Sequence, residues 1–173
     1  MTEVAAHLEH LTLHVAIVDP DHGARSEAPQ SAFEAAKRRL KDDGHYHCYV
    51  PGCEAADLQV HHFLCEWSEA NDADMVKVKA MAERFDPYGY GKLLAHRPIE
   101  NPDDIRNMLV LCQGHHTGVN HDTQTGIGIH YTTAPAFFAQ LCALDGADPI
   151  PQRGETEAQA LNRVEAHERH NAE

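Results

Sequence analysis

Hydrophobic and polar residues alternate along Leu11-Thr12-Leu13-His14-Val15-Ala16-Ile17, which predicts a strand, and Asp19-Pro20-Asp21-His22-Gly23 supplies the turn that ends it. Ser31 and Glu34 then read as a capping box ahead of Phe33, Ala36 and Leu40 at helical spacing, with Gly44 as the stop. Asp57 to Phe63 and Met108 to Leu111 are short strand candidates. Between them, Met75, Val78, Met81 and Phe85 mark one face of a helix that starts near Asn71 and is stopped by Asp86-Pro87. Residues 86–104 read as loop. Gln113 to about Asn120 predicts a short helix, Ile129 to Thr132 a strand, and Thr133 a cap for a helix carrying Phe137, Phe138, Leu141 and Leu144. After Pro149-Ile150-Pro151, a polar helix from Glu155 to His170 has only a thin apolar face of Ala158, Leu161 and Val164. The domain is therefore expected over 1–150, with 151–173 as a peripheral helix or tail.

Composition narrows the class. The chain is 42% hydrophobic and 24% charged over 173 residues, as suits a folded domain with a core of its own. No apolar run reaches membrane-spanning length, and Met1 to His10 lacks the basic start of a secretory signal, so a cytoplasmic location is expected. The formal net charge of −13 argues against nonspecific wrapping of nucleic acid. The one basic cluster, Lys37-Arg38-Arg39-Leu40-Lys41, reads first as a solvated helix face.

Five cysteines and fifteen histidines change the picture more. Cys48-x4-Cys53 and Cys112-x2-His115 are two half-sites of ligand-type residues. Zinc takes four such ligands in a tetrahedron and draws them in pairs from two tight turns, which fastens a small domain. His45 and His47 are spare ligands beside the first half-site. Cys65 and Cys142 lack such company and read as small buried hydrophobes.

A second constellation lies among the first: Val60-His61-His62-Phe63, then Asn107, then His115-His116-Thr117-Gly118-Val119-Asn120-His121. Adjacent strand residues point to opposite faces, so His61 and His62 share a site only where the strand ends or bends. His116 and Asn120 share a helix face. A strand end and a helix face together enclose a cation. Phosphodiester hydrolysis needs a metal, a base that is neutral near pH 7, and a group that holds the base.

The strings Cys-Tyr-Val-Pro-Gly-Cys, Leu-Gln-Val-His-His and Asn-Met-Leu-Val-Leu-Cys-Gln-Gly-His-His resemble the zinc-containing bacterial and phage branch of the HNH endonuclease family, over residues 48–63 and 107–121. The resemblance implies an α+β fold with a ββα-metal core (44–132, with an insertion at 64–104), flanked by an N-terminal strand and helix and by C-terminal helices. It implies that His61 is a metal ligand and His62 the general base. Asn107 would brace the hairpin and orient that base, and His116 would be a second ligand. The last ligand would be Asn120 or, one step round the helix, His121. Cys48, Cys53, Cys112 and His115 match the zinc knuckles. A structural Zn²⁺, a catalytic Mg²⁺, Mn²⁺ or other divalent ion, and DNA as partner follow. Arg97 and Arg106 are candidates for phosphate contact, Tyr88-Gly89-Tyr90-Gly91 for stacking on a base, and His130 for the metal site. The competing expectation is a catalytically silent scaffold that binds zinc and, through its acidic surface, a basic protein partner; RNA or a smaller phosphodiester is a third.

Overall fold

Leu58–His62 (β1) and Met108–Cys112 (β2) form an antiparallel two-stranded sheet, registered from Leu58 opposite Cys112 to His62 opposite Met108. The computed structural model describes residues 27–118, 128, 129 and 138–171, with backbone alone at 27–31 and 168–171. The expected strand at 11–17, the Thr133 cap, Phe137, and the candidates Asn120, His121 and His130 lie outside these residues. No helix of the described residues is long and apolar enough to cross a membrane. The described fold is α+β.

The sheet has a packed layer on each face. Leu58, Val60, Met108 and Val110 meet Phe33, Ala36 and Leu40 of α1 (Glu27–Asp42). Leu109 and Leu111 meet Val78 and Ala82 of α2 (Met75–Arg84), together with Phe63, Leu64 and Cys65. Every residue of β2 is buried, as a strand covered on both faces must be. The alternation of strand side chains then sends His62 toward α1 and His61 toward the opposite layer.

Helix ends follow local chemistry. α1 is already helical at Glu27, so Ser31 and Glu34 lie inside it rather than at its start. Pro29 is tolerated there because the first-turn N–H groups have no intrahelical acceptor. At the other end Gly44 adopts φ 78°, His45 N–H donates to Leu40 C=O at 2.8 Å and Gly44 N–H to Lys41 C=O at 3.1 Å. This is the paired closure that a left-handed residue permits. α2 begins at Met75, four residues after Asn71, because Asp74 caps it by accepting from the N–H groups of Val76 and Lys77. Phe85 falls past its end and is 49% exposed, so Val78 and Ala82 carry the buried face.

The stretch expected as loop contains α3 (Tyr90–Leu93), started by the Asp86 carboxylate accepting from Gly91 N–H at 2.8 Å and Lys92 N–H at 3.0 Å. Gly91 is required there: a Cβ would stand 2.4 Å from the Ala82 carbonyl oxygen. α4 (Gln113–His116) follows β2 directly. Ile129 is helical rather than extended. In α5 (Ala139–Cys142) the buried residues are Ala139 and Cys142, whereas Leu141 is exposed. α6 (Glu157–Asn171) buries Ala160 and Val164, one turn apart, and leaves Leu161 exposed. The expected Ala158-Leu161-Val164 face is thus rotated. Arg163 sets that rotation by donating to the carbonyls of Gly146 and Asp148 and pairing with Glu155.

Candidate functional site

The two cysteine-bearing turns meet. Pro51-Gly52 reverses the chain, with Gly52 at φ 78° and Cys53 N–H donating to Val50 C=O at 3.1 Å. Tyr49 N–H donates to Val110 C=O at 2.8 Å and so docks this knuckle on the outer edge of β2. Cys112 ends β2, and α4 turns His115 back over it. The result brings Cys48, Cys53, Cys112 and His115 together with their ligand atoms within 4.8 Å of one another. Cys53 Sγ lies 3.8 Å from Cys112 Sγ, and His115 Nδ1 lies 3.2 Å from Cys112 Sγ and 3.4 Å from Cys48 Sγ.

These edges fit a metal. With bonds of about 2.3 Å to sulfur and 2.0–2.1 Å to nitrogen, a tetrahedral zinc ion sets sulfur–sulfur edges of about 3.8 Å and sulfur–nitrogen edges of about 3.5 Å. The donor set, three cysteines and one histidine, suits an ion such as zinc. Burial pushes the Cys48 thiol up. Backbone N–H groups of Cys112 and Val50, with His115 and Cys53, outweigh it and bring the thiol down to about 7. For Cys53, Ala55 N–H favours the thiolate, but burial and the Cys48 and Cys112 sulfurs raise it overall. Three crowded sulfurs ionise together only when a cation joins them. His45 and His47 stand outside this set, and His45 packs its ring on Tyr88 at 4.9 Å.

The second constellation also converges in part. His61, 2% exposed at the end of β1, presents Nδ1 to His116 Nε2 at 3.2 Å. His116 Nδ1–H donates to Gln59 Oε1 at 2.6 Å. An acceptor oxygen on one ring nitrogen leaves the lone pair of the other facing His61, the arrangement that orients a metal-binding imidazole. Ligand edges around an ion with bonds of about 2.1 Å run from about 3.0 Å at right angles to about 3.4 Å in a tetrahedron, and the 3.2 Å separation of the two nitrogens lies in that range.

His62 points the other way, with its ring centroid 5.6 Å from that of Phe33, and its Nε2 lies 2.8 Å from Asp103 Oδ1. The carboxylate accepts the Nε2 proton, which leaves the Nδ1 lone pair. Glu66 joins the two faces: Oε1 lies 3.3 Å from His61 Nδ1 and Oε2 lies 3.8 Å from His62 Nδ1. Asn107 is fully buried. Its Oδ1 accepts from Leu64 N–H at 2.9 Å and Cys65 N–H at 3.2 Å, and its Nδ2 donates to the carbonyls of Cys65 and Pro102 at 2.8 Å each. The amide thus braces the loop that carries Glu66, while the side chain hydrogen-bonded to His62 is Asp103.

Several of the other candidates are tied into the fold. The Arg106 guanidinium is buried and donates to the carbonyls of Leu94, Arg97 and Pro98 and to Asp104. It is a staple for the insertion and has no donor left for a phosphate. Arg97 is exposed and, with Arg39 and Asp103, lines an open cavity of about 480 Å³. Tyr88 Oη accepts from Val110 N–H at 2.9 Å, and Tyr90 Oη donates to Asp43 at 2.7 Å. Both tyrosines are structural anchors in the fold. In the basic cluster, Arg39 pairs with Asp43, Lys37 with Glu34, and Lys41 lies over the Tyr46 ring.

Sequence reasoning missed Gln59, Glu66 and Asp103. Gln59 carried a signal, because residues two apart on a strand share a face and it precedes His61 by two. Glu66 and Asp103 carried none beyond their charge. No family model, curated protein or solved structure matches this chain.

Proposed function

We propose that this protein is a metal-dependent endonuclease of the HNH type acting on DNA. The observation that carries the reading is the convergence of His61 Nδ1 and His116 Nε2 to 3.2 Å at the strand end that also carries His62. A divalent ion held by this pair would neutralise charge on the phosphate and on the leaving oxygen. His62 takes the proton of the attacking water at Nδ1, and Asp103 holds the Nε2–H so that this lone pair is presented. Attack at phosphorus breaks the bond to the 3′ oxygen and leaves a 5′-phosphate end. Asn107 keeps the 64–65 backbone, and with it the strand end, in place. Asn120 or His121 would complete the ion's ligands. The Cys48, Cys53, Cys112 and His115 cluster would hold a structural zinc ion.

The test is nicking of supercoiled plasmid by purified protein with Mg²⁺, Mn²⁺ or Ni²⁺, beside His62→Ala. Nicking by wild type and its loss in the variant is the expected result. A wild type that nicks with no ion, or a variant that nicks equally, overturns the reading. A second reading rests on the net charge of −13: a catalytically silent scaffold that binds a basic protein. Zinc-loaded, folded wild type without nicking activity would favour it.

A further inference from the structure

We infer that the aromatic cleft between the cysteine knuckle and the end of α2 holds an unstacked base of single-stranded DNA. The inference rests on reading the protein as one that acts on DNA, and it adds the state of the strand that is bound.

The cleft is open, with a volume of about 470 Å³. Tyr49, Phe63, Phe85, Phe138 and Leu109 line it, together with Arg84. Tyr49 and Phe85 are 47% and 49% exposed, and among the described residues they are the aromatic side chains classed as exposed. Each meets its ring neighbour edge to face: Phe85 meets Phe138 at 86° and 6.0 Å, and Tyr49 meets Tyr88 at 84° and 5.7 Å. No described ring lies parallel to either, so neither is stacked. Their backbones are fixed, because Tyr49 N–H donates to Val110 C=O and Phe85 N–H to Met81 C=O, both at 2.8 Å. A half-exposed ring on a fixed backbone is a preformed platform on which a base of any sequence stacks.

The cleft shares a sheet face with the candidate ion site. Leu109 stands directly opposite His61 in the register of β1 and β2. Directly opposite residues present their side chains on one face, with Cβ atoms about 4.5–5.5 Å apart. A strand that seats one base against Leu109 therefore runs beside the position that carries His61.

Charge selects the occupant. Arg84, the last residue of α2, is exposed and makes no ion pair among the described residues. Asp86 also lines the cleft, but its two carboxylate oxygens accept from Gly91 N–H and Lys92 N–H. Flat apolar walls beside one cation match the two parts of a nucleotide, a planar base and an anionic phosphate. The net charge of −13 leaves little affinity to come from neutralising phosphates. Stacking supplies affinity that does not depend on charge, and paired bases inside a duplex do not offer it.

The experiment is fluorescence anisotropy of the zinc-loaded full chain without added divalent ion. The probes are a short labelled oligothymidine, the duplex of the same length, and an abasic strand of the same length and charge. Wild type is compared with Phe85→Ala and Phe85→Tyr. The expected result is tighter binding of oligothymidine than of duplex or abasic strand. Phe85→Ala should weaken oligothymidine binding about five- to hundredfold and leave the abasic strand unchanged, and Phe85→Tyr should restore it. The logarithm of the binding constant should fall with that of salt at a slope no steeper than about −1.5, the value for about two phosphates. Equal binding of oligothymidine and abasic strand by wild type overturns the base and leaves the cleft to an apolar protein segment. Dimerisation of wild type that Phe85→Ala abolishes overturns it in favour of a second copy of this chain. Equal oligothymidine binding by wild type and Phe85→Ala overturns it too. In each of these cases, plasmid nicking that depends on His62 keeps the endonuclease reading, and absence of both binding and nicking removes both. If Phe85→Ala does not retain zinc and its circular dichroism, Phe85→Leu, which keeps the apolar volume and removes the ring, is judged by the same thresholds.

Discussion

The sulfur of Cys53 lies 3.8 Å from that of Cys112, although 59 positions separate them. The contact joins the knuckle after α1 to the junction of β2 and α4, and so ties the two ends of the sheet's surroundings together. Small metal-stapled domains draw about 10–16 kcal/mol from zinc at neutral pH. Cys112→Ser should reduce bound zinc from one equivalent to none and unfold the β1–β2 region. Metal analysis and thermal unfolding check this, and undiminished zinc would remove Cys112 from the site.

Asp103 should matter to the reaction without mattering to the ion. If its carboxylate holds Nε2–H of His62, Asp103→Asn permits the opposite tautomer and lowers cleavage by about 10²–10⁴-fold. Mn²⁺ affinity should be unchanged. Nitrogen-15 shifts of the His62 ring should show the Nε2–H form in wild type and a mixture in the variant, with a displaced pH profile of cleavage.

Asn107 should be a stability residue first. Its four hydrogen bonds satisfy buried backbone groups of three other residues. Asn107→Ala leaves those groups unpaired and should cost about 3–5 kcal/mol. Asn107→Asp fails as well, because it loses both donors and buries a charge. Denaturant midpoints of the zinc-loaded forms measure both.

Tyr88 gives a pH test. Burial pushes its hydroxyl up to about 12, the Val110 hydrogen bond pulling weakly the other way. Folding therefore favours the neutral phenol. That contribution is complete below the unfolded value near 10 and is lost as pH rises through about 12. Ultraviolet titration should show late tyrosinates from Tyr88 and from Tyr90, whose hydroxyl is also pushed up by burial and the Asp43 carboxylate. Tyr88→Phe should remove one of them and lose about 1–3 kcal/mol by orphaning the Val110 N–H.

The two strands of the sheet and the cysteine half-sites were legible in the sequence because each depends on short-range periodicity or on paired spacing, whereas the pairing of His61 with His116 was expected from the family resemblance. Leu58–His62 and Met108–Cys112 differ from the expected strands by a residue or so at the ends. Elements governed by tertiary contact read less well. The polar helix 157–171 turned its Ala160 and Val164 face inward because Arg163 is anchored to carbonyls a dozen or more residues away. Asp103 and Glu66 were illegible for a sharper reason. Each reaches His62 only through the path of the insertion, and no local pattern encodes that path.

That path has a kinetic consequence. The two strands are joined by residues 63–107 rather than by a tight turn. Closing a loop of that length costs about 3 kcal/mol more than a two-residue turn. Forming α2 and α3 first, or clamping Cys53 to Cys112 through a metal ion, would shorten the effective loop and lower that cost. The same excursion carries Asp103, 41 positions beyond His62 in sequence, back to the imidazole, so the length of the connection and the carboxylate that holds the His62 ring are one feature of the chain.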